Sequence, residues 1–340
     1  MKIICLVAAL AAATALLGGC GGSEGQEAAS KPPAISKAEA ESLEPADTWV
    51  TLDGHADAAN VGILLALERG YFDDLGLSVG VGAPALPGRP VSYVSTRTAD
   101  IGVSQQPQVV LAKDKRAPVI AVGSLLPRST LSMIWLRKSK IRDIADLKGR
   151  TVAVPGIPYQ GKLLRLLLEQ AGLTLRDVKI RVVGYNLVPA LVSGRADAIF
   201  GGSWNLEGAV LRAHSMRPVI IPVRRLGVPV YDEAVVIART RRVARSPQLI
   251  RKFMAAVARG TAAAIKNPEA AVQAIEKSPE GGNVFGHKAV EAEVKATLPL
   301  LSRTGRLSPA HTRTLVNWMH EQSLIEREPR GSELQALHLK

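Results

Sequence analysis

Between Arg195 and Glu207 the chain reads RADAIFGGSWNLE, which brings an aromatic ring, an amide and a carboxylate together as Trp204, Asn205 and Glu207. A ring offers a stacking face, an amide both donates and accepts, and a carboxylate accepts, so the set can hold a small polar ligand. Ala198, Ile199 and Phe200 read as a short buried strand, and Gly201 and Gly202 permit a sharp turn or the close approach of another backbone. The set then lies beyond the carboxyl end of a strand, where an open α/β sheet places its ligand. The same residues also fit a core tryptophan followed by two polar residues at a helix start.

Other stretches carry side chains of the same kind. Asp53, His55, Asp57 and Asn60 cluster before a helix whose free N–H groups invite a polar ligand, although Asp57 or Asn60 equally suits a helix cap. Gln105, Gln106 and Gln108 stand in the phrase SQQPQ, and their amides suit an uncharged heterocycle or a sugar better than a phosphate. The other meaning of that phrase is a solvated turn with Pro107 at a helix start. Gly156 lies in the stiff turn PGIPY before a helix start able to hold an anionic or polar group.

Several chemistries are excluded. The 2 cysteines are Cys5 and Cys20, so the body has no disulfide, thiolate site or cysteine nucleophile. The 6 histidines show no metal-ligand spacing. No metal, cofactor or catalytic residue is therefore expected. The net charge of +13 is spread through helix-like segments with acidic residues between, which points to a solvated basic surface and not to nucleic acid.

The elements that must position these residues alternate. Apolar runs at 49–52, 77–81, 101–103, 119–122, 131–136, 151–154, 178–183, 198–200, 219–221 and 234–238 read as strands, with helical patterns between many of them. This is an α/β chain. Ser246-Pro247 and Asn267-Pro268 mark helix starts, after which the chain reads as helical to about Glu326. The stretches 125–131 and 222–233 each sit between α/β runs. Two such crossings imply a discontinuous first lobe (47–128 plus 230–328), a second lobe (129–229), a cleft between them and a loose tail at 329–340.

The amino end is an address. Lys2 and the short apolar run Ile3 to Leu17 predict a signal peptide over 1–19, and Leu17-Gly18-Gly19-Cys20 resembles a bacterial lipobox with Cys20 as the lipidated residue. Residues 20–46 read as a flexible tether.

The phrases ERGYFDDLGL, SQQPQVVLA, DLKGRTVAVPGIP, VGYNLVPALVSGRADAIFGGSWNLE and GVPVYDE, in that order, resemble the substrate-binding proteins of bacterial ABC importers with the type 2 periplasmic-binding fold. Within them the chain is similar to the branch shared by pyrimidine-precursor binders of thiamine salvage and the yeast thiamine-pyrimidine synthase. The resemblance implies a ligand held between lobes, an aromatic ring stacked on its heterocycle and a carboxylate at its amino edge. Trp204 matches the tryptophan of GG-x-W-N, and Tyr231 and Glu233 match the family's Y-x-E, with Asp232 where a second tyrosine is common. The family's N-H-A-G reads Asn60-Val61-Gly62 here.

The function implied is a lipid-anchored, extracytoplasmic, monomeric receptor that hands an aminopyrimidine to an ABC permease and its ATPase. Riboflavin, sulfonate-like and nitrate-like solutes are the alternatives. The related enzyme carries a cysteine-rich motif and a histidine that is consumed; here no cysteine follows Cys20 and the histidine position is Asn60, so no enzyme is expected. A membrane sensor domain would share every one of these features.

Overall fold

Apolar runs bounded by polar turns form the strands, and the computed structural model, which describes residues 46–281 and 285–336, sorts them into two sheets. The chain first lays down β1 (Ala46–Thr51), β2 (Leu77–Gly82), β3 (Ile101–Ser104) and β4 (Val119–Leu126). It then makes β5 (Leu131–Leu136), β6 (Thr151–Val154), β7 (Lys179–Val182), β8 (Ala198–Ser203) and β9 (Pro218–Pro222), and returns as β10 (Ala234–Arg239). The five-stranded sheets have the orders β2-β1-β3-β10-β4 and β7-β6-β8-β5-β9. In the first, β1 runs parallel to β2 and β3 while β10 is antiparallel to β3 and β4. In the second, β6 runs parallel to β7 and β8 while β5 is antiparallel to β8 and β9.

The two sheets therefore share one plan, four parallel strands plus one strand inserted in reverse. That plan sends the carboxyl ends of the parallel strands and the amino ends of β5 and β10 to the same edge of each sheet. β3, β4 and β5 are buried along their whole length, as strands covered on both faces must be.

The covering helices in chain order are α1 (Val61–Glu68), α2 (Pro90–Thr96), α3 (Gln106–Asp114), α4 (Pro158–Gln170), α5 (Leu187–Val192) and α6 (Glu207–Ala213). There follow α7 (Thr240–Arg245), α8 (Pro247–Lys266), α9 (Pro268–Lys277), α10 (His287–Thr297), α11 (Pro309–Glu321) and α12 (Gly331–Leu334). α8 and α9 begin at the expected prolines, and Asn267 Oδ1 accepts from the Ala270 N–H at 3.2 Å as a cap. α1 lies directly against α8. A Cβ on Gly260 would sit 2.0 Å from the Gly62 carbonyl oxygen, so the two helices touch backbone to backbone, and this contact fixes where the loop before α1 ends.

Three local expectations change. β8 does not turn at its glycines but runs through them to Ser203, because Gly201 adopts φ 110° and lets Pro155 approach to 2.5 Å of where a Cβ would stand. α2 was not expected: its serines, threonine and valines hide the helical period, and Pro90 starts it. Residues 331–336, expected to be loose, pack against the first sheet; the Ala336 N–H donates to the Ala121 carbonyl at 2.9 Å, and Leu334 and Ala336 are buried. The leader, Cys20 and the tether up to residue 45 lie outside the described residues.

Candidate functional site

The facing edges enclose a cavity of about 190 Å³. From the first sheet come Asp53, His55 and Asp57 after β1, Gln105 after β3 and Glu233 just before β10. From the second come Thr130 and Leu131 at the start of β5, Gln160 on α4, Tyr185 after β7, and Ser203, Asn205 and Glu207 at the end of β8. α10 adds Glu293. Each group stands at a strand end or a helix near one, the position the shared plan creates.

Carboxyl groups dominate this lining. Glu233 Oε2 accepts from the Thr130 N–H at 2.6 Å and the Leu131 N–H at 3.0 Å, while its own N–H donates to the Leu126 carbonyl at 2.8 Å. Burial pushes its carboxyl up to about 7 despite those donors. Glu207 Oε2 accepts from the Ser203 N–H at 2.6 Å, and burial raises it as well. Asp57 Oδ1 accepts from the Ala59 N–H at 2.8 Å and from Asn60 Nδ2 at 3.0 Å; burial, then the neighbouring Asp53, push it up to about 8. Asp53 accepts from Asn60 Nδ2 at 3.2 Å and Gln105 Nε2 at 3.1 Å and is raised by burial. Burial, then Asp57 and Glu207, hold Glu293 well above the usual carboxylate range.

No lysine or arginine stands among the described lining residues. A site of this kind accepts hydrogen bonds and becomes negative as it ionises. It suits amines and cations and repels sulfonate, nitrate and phosphate.

The aromatic surface comes from loops of both sheets. The His55 and Tyr185 rings lie 4.6 Å apart at 53°, and the Tyr185 hydroxyl crosses to donate to the Pro84 carbonyl at 3.1 Å. Two buried lining amides keep an oxygen without a protein partner: Asn205 Oδ1 and Gln160 Oε1.

Of the residues expected from sequence, Glu233, Asn205, Glu207 and Asp57 meet in this cavity. The others take places around it. Trp204 is partly buried beside the cavity but is not part of its lining, and its backbone N–H donates to the Thr130 carbonyl at 3.1 Å. Tyr231 is fully buried behind the site, bordering a small apolar space with Tyr159 and Leu163. Gln106 is turned away: it accepts from the Asp232 N–H at 2.9 Å and donates to Thr312 Oγ1 at 2.8 Å, and its neighbour Gln105 takes the cavity position. Asn60 sits one layer back, where its amide orients both aspartates. Gly156 is exposed, with Pro155 and Ile157 on either side lining the cavity.

Tyr185, Gln160 and Glu293 were not singled out from sequence. Tyr185 lies within the phrase VGYNLVPALVSGRADAIFGGSWNLE, which is a signal; Glu293 is one acidic residue in an ordinary amphipathic helix, which is none.

Comparison with known proteins agrees with this geometry. A family model described as NMT1/THI5 like matches residues 58–271. The formylaminopyrimidine-binding protein of Halalkalibacterium halodurans is 32% identical over 244 residues, covering 72% of this chain and 74% of its own. The 4-amino-5-hydroxymethyl-2-methylpyrimidine phosphate synthase of Aspergillus parasiticus is 27% identical, covering 70% of this chain and 72% of its own. Among solved structures, the alkanesulfonate-binding protein SsuA of Xanthomonas axonopodis pv. citri superposes with a TM-score of 0.65 at 16% identity, over 87% of this chain and 100% of that one. That likeness shows a shared periplasmic-binding-protein fold and nothing about cargo. A family model spanning most of the body and a relative at 32% identity decide the matter: the chain belongs to the NMT1/THI5-like family.

Proposed function

We propose that this chain is the extracytoplasmic solute-binding protein of an ABC importer and that its cargo is an aminopyrimidine precursor of thiamine. The observation that carries the reading is the charge of the cavity, where carboxyl groups from β1, β8, β10 and α10 converge without a lysine or arginine among the described lining residues. An aminopyrimidine presents an exocyclic amine beside a ring nitrogen. Glu233 has Oε2 committed to the Thr130 and Leu131 N–H groups, so it meets that amino edge with its other oxygen. Tyr185 and His55 give the ring a face.

An alkanesulfonate would instead bring a fixed negative charge to a lining that offers it no lysine or arginine and that becomes negative as its carboxyl groups ionise, which disfavours binding. Synthases among the relatives raise an enzymatic reading. The position of the consumed histidine is Asn60 here, and its amide is engaged by Asp53 and Asp57, which speaks for binding without chemistry.

The reading includes a lipid anchor on Cys20 and delivery to a permease and its ATPase, supported by the LGGC run after a short apolar core. Calorimetric titration of the full chain with formylaminopyrimidine, riboflavin and taurine tests the cargo. Binding of the pyrimidine alone is expected; binding of taurine but not the pyrimidine refutes the reading. Changing Cys20 to Ser is expected to release the protein from membranes, and unchanged retention would remove the anchor.

A further inference from the structure

We infer that the cavity has a second pole, formed by Asp57, Glu207, Glu293 and Asn205, which takes a primary ammonium group, so that the cargo is an aminopyrimidine with a free aminomethyl-type arm in preference to its N-formyl form. The inference rests on the cargo reading above and narrows it.

The pole is built from three separate elements. Thr297 and Glu293 lie four residues apart on α10 and so share one face. Thr297 Oγ1 accepts from Asn205 Nδ2 at 2.9 Å, which docks that face on the end of β8. Asn205 is 0% exposed, and with its Nδ2 spent on Thr297 its Oδ1 is left in the cavity wall without a partner. A buried acceptor of this kind is expensive to leave unmade, which points to a donor supplied from outside the chain. Glu207, at the start of α6, and Asp57, before α1, line the same cavity as Glu293, and their charges raise its carboxyl.

The chemistry of the two forms of cargo differs here. A primary ammonium carries three donors and a positive charge, and it finds here three carboxyl groups and one open amide oxygen. A formamide has one N–H donor, no charge and a carbonyl oxygen, so it leaves most of these acceptors unmade, and its carbonyl is met only by a carboxyl that stays protonated. Burial, then the charge of Asp53 on Asp57 and those of Asp57 and Glu207 on Glu293, hold both carboxyl groups protonated above the ordinary carboxylate range while the site is empty. An arriving cation favours their ionised forms, so binding near neutral pH releases protons to solvent. His55 and Tyr185 are the other titratable side chains beside Asp53, Glu233 and this pole in the described lining.

The test is calorimetry on the full chain, with 4-amino-5-aminomethyl-2-methylpyrimidine and its N-formyl derivative as probes, in two pH 7 buffers of different ionisation enthalpy. The free amine is expected to bind more tightly by about tenfold or more and to release protons. Glu293→Gln is expected to shrink the preference to within about threefold and to reduce proton release. Equal or tighter binding of the N-formyl form, or amine binding without proton release, overturns the inference and leaves the cargo reading intact. If neither pyrimidine binds, both fall. Because Gln keeps the shape of Glu, the unliganded melting temperature of Glu293→Gln is expected at or above wild type; a normal fold with an unchanged preference also overturns the inference.

Discussion

Glu233 belongs to two structures at once. Its carboxylate lines the cavity, and it holds the Thr130 and Leu131 N–H groups where the chain passes between sheets. Glu233→Ala leaves two buried donors without an acceptor, each costing on the order of 1 to 3 kcal/mol, and is expected to lower both the melting temperature and the affinity for aminopyrimidine. Glu233→Gln keeps an acceptor and is expected to melt close to wild type at low pH while binding about tenfold more weakly.

The sign of the pH dependence follows from the direction of the shifts. Glu233 rises from 4.5 to about 7 and Asp57 from 3.8 to about 8, so the folded state binds these protons more tightly than the unfolded chain does. Their contribution to stability is complete below about pH 4 and is lost as pH rises toward 8; for Glu233 it is on the order of 3 kcal/mol. Melting temperature of the unliganded protein should therefore fall from pH 5 to pH 8, less steeply in Glu233→Gln. Equal slopes in the two proteins would show that Glu233 does not titrate in this window.

Residue types also explain what sequence disclosed of the site. Glu233, Asn205, Glu207 and Asp57 were legible because a polar group at a strand end has few structural reasons to be there. Trp204 has the expected chemistry, but the aromatic rings that line the cavity are those of His55, Tyr185 and Phe285, brought together from loops remote in sequence, which composition does not encode. Tyr185→Ala is accordingly expected to weaken binding by about tenfold, and Trp204→Ala by less. The reverse order would return the stacking role to Trp204.

At the scale of elements, the loop bearing Asp53 and Asp57 is held by the helix behind it. Gly260 of α8 meets the Gly62 carbonyl of α1 with no room for a Cβ, so Gly260→Ala must push the helices apart. A destabilisation of about 1 to 3 kcal/mol is expected from this overpacking, with weaker binding because α1 carries its loop along. Denaturant unfolding and titration check both; an unchanged midpoint would mean that the contact yields freely.

The strands were legible because buried β segments are short apolar runs, and β5 and β6 match the expected limits residue for residue. α2 was hidden by residues with weak helix preference. The packed segment at 331–336 was hidden because its partners, Ala121 and Thr312, are remote in sequence. Glu293 was illegible for the same reason, since nothing local to α10 shows that one of its carboxylates faces a cavity made by strands before it.

For the whole molecule, a net charge of +13 accompanies a cavity whose described lining has no basic residue other than His55. A basic exterior is drawn to anionic lipid, which would suit the lipid tether proposed above. Among the described residues no helix is long and apolar enough to cross one. The Tyr185 hydroxyl donates to the Pro84 carbonyl beside the cavity, and we propose that the sheets move about the crossings near 127–130 and 223–233 as cargo enters. Scattering should then show a smaller radius of gyration with cargo than without, and an unchanged radius at saturation would argue against closure.

The most direct test of the central claim, that an acidic cavity selects an aminopyrimidine, is native mass spectrometry of the full chain as purified from cells given a mixture of thiamine-type pyrimidines, riboflavin and alkanesulfonates. One retained ligand per chain is expected, with the mass of an aminopyrimidine, lost when Glu233 is changed to Ala. Retention of a sulfonate, or of a pyrimidine held equally well by the Glu233→Ala protein, would contradict it.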